Sequence, residues 1–270
     1  MTLYLIGAGP GAADLITVRG VRILGRCQTC LVAGSLVPDE ILELCPADTE
    51  IIDTARMPLG QIISHIVDAD RAGHDVARLH SGDLSLYSAV TEQVTAVRAA
   101  GIDVQWVPGV PAFAAAASAL ENELTVPGIG QSLLVTRVST LSTDMPAGEE
   151  LDALAATGVT LALHLAAHRT EQIAATLVPH YGADCPTATV AFASRSDQQI
   201  VRCRLADLPT ALTDAGIRRT AVIFVGRVLA AADHPARLDS YLYSQARMTK
   251  LRTDSRHAHT DGPGDGSRSR

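Results

Sequence analysis

Residues 4–14 read YLIGAGPGAAD, an apolar run that passes into three glycines within five positions. Such a stretch fits a buried strand that turns sharply into a helix, the opening unit of an α/β sheet. The rhythm then repeats. Short apolar runs at Leu3–Ile6, Thr29–Ala33, Glu50–Asp53, Asp75–His80 and Asp103–Val107 predict strands, and Leu59–Ala72 and Ser88–Ala100 predict helices between them. Strands that alternate with helices imply a mostly parallel sheet. A second group of strands is expected at Ser132–Thr136, Thr160–Leu165, Thr189–Ala193, Gln199–Arg204 and Ala221–Val225. Its helices are expected at Thr170–Val178 and Leu205–Ala215. Two turn-rich stretches, VPGVP and TVPGIG, lie near the middle, and the first marks the expected division into units 1–112 and 113–240. The fold class expected is therefore two α/β domains with a cleft between them. The polar stretch 244–270 lacks the apolar side chains to bury and is expected to be a disordered tail.

Composition removes several function classes. Apolar residues make up 47% of the 270 and charged residues 19%, as in a globular chain. The formal charge of -7 argues against a general nucleic-acid binder, and it leaves an anionic ligand possible only where basic residues cluster. No apolar run approaches the ~20 residues of a membrane span. The start carries no basic segment of a signal peptide, and five cysteines, an odd number, fit a reducing cytoplasm. Cys27 and Cys30 form a C-x-x-C pair without a second ligand pair, so they are read as buried thiols and no metal site is expected.

Gly7, Gly9 and Ala12 satisfy the G-x-G-x-x-A pattern of dinucleotide loops. Two features oppose that reading. A ribose-binding carboxylate is missing after the second strand until Asp39, and Pro10 has no N–H for a phosphate. The loop is then a wall for an uncharged or zwitterionic ligand, or a tight turn with no ligand. Two further loops favour the ligand. Arg78–Ser88 carries Gly82 and Asp83, and Trp106–Leu120 leads into the small-residue run Phe113–Leu120. All three would sit at the carboxyl ends of parallel strands, where open α/β sheets bind ligands.

GAGPGAADLITVRG, AGSLV, RLHSGDLSLY, VPGVPAFAAAASAL and RTAVIFVG occur in this order. Together they resemble the tetrapyrrole (corrin and siroheme) methyltransferase family. The resemblance implies two α/β domains, an active site in the cleft between them, S-adenosylmethionine as cofactor, a tetrapyrrole substrate and a homodimer. AGSLV and LHSGDLSLYS are more similar to the branch that methylates precorrin-4 at ring carbon 11 in cobalamin biosynthesis than to uroporphyrinogen methyltransferases. A cobalt-containing substrate remains an alternative, as does a non-catalytic tetrapyrrole-binding protein of the same fold.

The resemblance carries cofactor contacts onto Pro10, Ser81, Gly82, Asp83, Leu86, Pro111, Ala112, Leu165, Ala193, Thr220 and Ala221. The alternative for Asp83 is a turn or helix cap. Leu84 and Ser88 stand where the family has proline and glycine, and Pro111 where it has a hydroxyl residue. The chemistry implied is attack by a macrocycle carbon on an electrophilic methyl group. It demands alignment and exclusion of water rather than a protein nucleophile, and no base is assigned. Precorrins carry many carboxylates, so substrate contacts are expected from Arg56, Arg137 and Arg195 with His80. Arg169 and His168 are further candidates.

Overall fold

The computed structural model describes residues 1–139, 144–233, 238 and 240–250. Ten strands build two five-stranded sheets among them. The first contains β1 (Thr2–Gly7), β2 (Thr29–Val32), β3 (Glu50–Asp53), β4 (Val76–His80) and β5 (Asp103–Val107), in the order β3-β2-β4-β1-β5. Every pairing is parallel. Helices α1 (Val18–Leu24), α2 (Asp39–Leu42), α3 (Leu59–Arg71) and α4 (Val90–Ala99) cover it. β4 is buried along its whole length, which is why its sequence reads as a run and not as an alternation. One face of the sheet packs Tyr4, Ile6, Cys30, Val32 and Leu79 against α1 and α2. The other packs Leu3, Leu5, Leu31 and Val76 against Ile62 and Ile66 of α3 and Val94 and Val97 of α4.

Helix α5 (Ala112–Ala119) follows directly from the first sheet, and the second sheet comes after it. That sheet contains β6 (Leu133–Arg137), β7 (Thr160–His164), β8 (Pro186–Ala191), β9 (Gln199–Arg204) and β10 (Ala221–Val225). Its order is β6-β7-β10-β8-β9, with β6 and β7 parallel and the remaining pairs antiparallel. Helices α6 (Leu151–Ala155), α7 (Thr170–Tyr181) and α8 (Leu208–Asp214) cover one face. The other face receives α5, whose Ala115 and Ala116 pack beside Ala188, Val190, Val222 and Phe224.

Several element ends differ from expectation for a local reason. β8 stops at Ala191 and not Ala193, because Phe192 takes φ 51 and Ser194 φ 69. β7 stops at His164 because Leu165 takes φ 53, and α4 starts at Val90 because Ala89 takes φ 49. Left-handed conformations at residues other than glycine carry no sequence signal. The expected helix 205–215 is a short 3-10 turn followed by α8, with Pro209 at its start. Within the stretch expected to be disordered, residues 245–250 are helical, and the Ser244 hydroxyl accepts the Arg247 backbone N–H. Residues 251–270 lie outside the described residues.

Three loops at the carboxyl ends of β1, β4 and β5 are laced together. Ala8 N–H donates to the His80 carbonyl at 2.8 Å, and Gly9 and Gly82 exchange backbone bonds of 3.1 and 2.7 Å. A Cβ on Gly109 would stand 2.1 Å from the Gly82 carbonyl oxygen, and one on Gly7 would stand 2.6 Å from the Gly109 nitrogen. Both contacts are with backbone, so no side chain can yield. Gly109→Ala is expected to destabilise the chain by about 1–3 kcal/mol or more through overpacking. Gly60→Ala, with nothing within 4 Å of its added carbon, is expected to be neutral or stabilising by up to ~1 kcal/mol. Urea midpoints measure both, and equal effects would refute the backbone-contact account.

Candidate active site

A cavity of about 470 Å³ opens where these loops face the second sheet. Pro10 and Ser81 reach it from the first sheet, and Ala112 from the start of α5. His164 to His168 line it at the end of β7, Val190 and Ala193 at the end of β8, and Arg218 to Val222 at the start of β10. Seven of the eleven expected cofactor residues therefore line this one cavity: Pro10, Ser81, Ala112, Leu165, Ala193, Thr220 and Ala221. The glycine loop contributes Pro10, the residue without an N–H, to that lining.

The other four lie behind it. Gly82 holds Gly9, Leu86 is half-buried in its loop, and Pro111 caps α5. Asp83 takes the turn-forming role. Its carboxylate accepts the Gly109 N–H at 2.7 Å, the Ser85 N–H at 2.9 Å and the Ser85 hydroxyl. Partial burial raises its pKa, and the bonds from Ser85 and Gly109 outweigh that and hold the carboxyl below its ordinary range. Leu84 and Ser88 work as a pair. Leu84 is buried against the core under α3 and α4, and the Ser88 hydroxyl donates to the Leu84 carbonyl.

None of the four expected substrate contacts lines this cavity. Arg56 is exposed on the turn after β3. Arg137 donates to the carbonyls of Val138 and Asp144. Arg195 is paired bidentately with Asp197 at 2.9 and 3.1 Å and lies over the Phe192 ring, in a neighbouring recess with Gly11 and Glu40. His80 is 7% exposed inside the first unit. The alternation of β4 places it on the same face as Val76 and Arg78, beneath α4. Arg169 caps α7 outside the cavity, and His168 is on its wall. Cys27 and Cys30 are buried, as expected, and the Cys27 thiol donates to the Leu24 carbonyl at 3.3 Å.

Sequence reasoning missed His164, Leu36, Arg218 and Arg219. The arginine pair carried a signal, because it immediately precedes the expected contact Thr220. His164 packs between Tyr87 and Phe113, with ring centroids at 5.6 and 6.4 Å, and its Nε2 is buried without a partner. Burial pulls its pKa down from 6.5 to about 4. His80 is also held at about 4, first by burial and then by the Arg78 charge, against a bond with the Ser88 backbone. Arg78 is itself buried and donates to Thr54 Oγ1 at 2.6 Å and to Gln93 Oε1 at 3.3 Å.

Leu165 and Thr220 hold φ of 53 and 52 on the cavity wall. Such conformations cost roughly 1–2 kcal/mol per residue. Leu165 is also 57% exposed, an unusual position for a large apolar side chain in a strained backbone. Strain and exposed apolar surface together mark a binding surface more than a packing surface.

A family model described as tetrapyrrole (corrin/porphyrin) methylases matches residues 2–209. The chain belongs to the tetrapyrrole methylase family. Among tetrapyrrole methylases, the precorrin-4 C(11)-methyltransferase of Rhodococcus erythropolis is 57% identical over 247 residues, covering 92% of this chain and 98% of that one. The cobalt-precorrin-4 C(11)-methyltransferase of Priestia megaterium is 37% identical over 246 residues, covering 91% and 95%. The solved structure of a cobalt precorrin-4 methyltransferase superposes with a TM-score of 0.83 at 37% identity, over 84% of this chain and 95% of the other. The uroporphyrin-III C-methyltransferase of Thermus thermophilus, solved with S-adenosylhomocysteine, gives 0.71 at 27% identity, over 88% and 98%. The two-sheet architecture described above is that of this methylase fold.

The buried histidines give the tetrapyrrole methylase chain a defined acid response. Below pH 6.5 the unfolded chain takes up protons at His80 that the folded chain refuses until about pH 4. Stability from this group is therefore present above pH 6.5 and lost as pH falls toward 4. His80→Gln is expected to lose ~1–3 kcal/mol less than the natural chain between pH 7 and 4. Urea unfolding across that range measures it, and parallel curves for the two proteins would refute a neutral buried His80.

Proposed function

We propose that this chain transfers the methyl group of S-adenosylmethionine to ring carbon 11 of precorrin-4 in corrin synthesis. The observation that supports the reading most is the cavity itself. It brings seven of the residues expected at the cofactor around one space, between the two sheets. Its volume falls in the range of small-molecule sites, about 300–1,000 Å³. Similarity to precorrin-4 enzymes, 57% against 37% for a cobalt-precorrin-4 enzyme, favours the metal-free substrate.

The residues present suit S-adenosylmethionine. Pro10, Leu165, Ala193 and Ala221 offer apolar surface, and Ser81 and Thr220 offer polar groups. When bound, the cofactor supplies a sulfonium whose methyl group is open to attack by a nucleophilic carbon. The chain's own task is then to align the two reactants and exclude water. Pro10 and the laced glycines give a stiff wall on one side, and Leu165 gives an apolar wall on the other. His164 remains neutral at physiological pH, so it adds no charge to repel a sulfonium. The same reading divides the chain at 112/113, supported by the packing of α5 on the second sheet. It also carries a homodimer and a cytoplasmic location. The five free cysteines suit the location, and among the described residues no helix is long and apolar enough to cross a membrane.

Calorimetric titration tests the cofactor half of the reading. S-adenosylhomocysteine is expected to bind and NAD is not. Leu165→Asn keeps a side chain that tolerates positive φ and removes the apolar wall. It is expected to leave thermal stability within ~1 kcal/mol, since the leucine is not a core residue and its backbone is strained. Its affinity for S-adenosylhomocysteine is expected to drop about tenfold, from ~1.5 kcal/mol of lost apolar burial. Binding of NAD alone would overturn the cofactor assignment. Precorrin-4 turnover, followed by mass increase of one methyl group, then tests the substrate half.

A further inference from the structure

The cavity wall contains two arginines, two histidines and no aspartate or glutamate. In a chain with 29 acidic and 22 basic residues, that wall departs from the rest of the molecule. Several other arginines are committed elsewhere. Arg195 pairs with Asp197, Arg204 with Asp184 and Asp207, and Arg71 with Asp68. Arg202 donates to the Leu120 carbonyl and Arg26 to the Tyr4 hydroxyl. Arg218 and Arg219 are exposed at the cavity and make no ion pair among the described residues. Thr220 follows them at φ 52, and its carbonyl accepts the Phe192 N–H at 2.9 Å. That bond anchors the bend from which the pair projects. His168 stands on the same wall.

We propose that Arg218 and Arg219, with His168 beside them, form a carboxylate-docking rim on this cavity. The proposal rests on the methyltransferase reading above and names its charge recognition. A guanidinium left without a partner at a ligand cavity is matched best by a carboxylate, which it grips bidentately. Two ligands of the reaction carry that group: the tetrapyrrole on its acid side chains, and the cofactor on its amino-acid end. The rim replaces the arginines expected from sequence, of which Arg195 is already neutralised by Asp197.

The test uses the full chain, Arg218→Gln, Arg219→Gln and the double variant, with three probes. Uroporphyrin is an octacarboxylate macrocycle, S-adenosylhomocysteine carries one carboxylate, and 5′-methylthioadenosine carries none. For a rim that serves the tetrapyrrole, the double variant weakens uroporphyrin at least tenfold and leaves both nucleosides within twofold. For a rim that serves the cofactor, S-adenosylhomocysteine weakens at least tenfold and 5′-methylthioadenosine does not. Arg219→Lys in either case recovers part of the loss. The rim is overturned if the double variant binds all three probes as the natural chain does. It is equally overturned if both nucleosides weaken together, or if the natural chain binds neither anionic probe. Turnover separates this from the functional reading. A natural chain that shows the rim effect but makes no methylated product loses the activity and keeps the rim. Unchanged KM values for precorrin-4 and the cofactor in an active double variant keep the activity and remove the rim.

Discussion

The approach of Gly7, Gly82 and Gly109 governs the rest of the molecule. Three loops from three parallel strands converge so closely that a single carbon on Gly109 would overlap the Gly82 carbonyl. Asp83 then ties the third loop to the second through the Gly109 N–H. Once these loops are fixed, Pro10 and Ser81 have set positions, and α5 leaves the first sheet in a set direction. The direction of α5 in turn places the second sheet, because the helix is packed against β8 and β10 by its alanines. The cavity is a product of that chain of contacts more than of any one residue in its wall.

The cavity concentrates what a fold ordinarily avoids. Leu165 combines solvent-exposed apolar surface with a left-handed backbone. Thr220 repeats the backbone strain beside it, where β10 begins next to the end of β7, and His164 has a buried ring nitrogen without a partner. These features lower the stability of the empty protein, and they persist only because the surrounding sheet ends are firmly held. A tetrapyrrole methylase has no need of an activated nucleophile among its side chains. Its wall is instead apolar and neutral over most of its area, with positive charge confined to the Arg218–Arg219 lip. Such a division suits two reactants, one with a sulfonium at its reacting end and the other with an anionic periphery.

The parallel sheet, the loop positions and the apolar part of the site were legible in the sequence, because each rests on local chemistry. Glycine and proline reveal tight turns, and continuous apolar runs reveal strands buried on both faces. Strand order was not legible, since β4 enters between β2 and β1 by contacts far apart in the chain. The end of β8 was misplaced because Phe192 and Ser194 turn left-handed without glycine. His80 reads as a loop-proximal polar residue, yet it falls on the face of β4 that α4 covers. Arg195 reads as a free cation until Asp197, two residues on, is seen folded back against it. Arg218 and Arg219 were overlooked for the opposite reason. They sit at the foot of a strand, and only the antiparallel pairing of β10 with β7 and β8 turns that foot toward the cleft.

The alanines of α5 have a mechanical consequence. The helix begins directly after Pro111, is joined to β5 by only the four residues 108–111, and packs on the second sheet. A joint of that kind has little angular play, since rotation of one unit would drive backbone into backbone where the side chains are only methyl groups. The placement of the second sheet against the loops that carry Pro10 and Ser81 thus rests on the smallest side chains available.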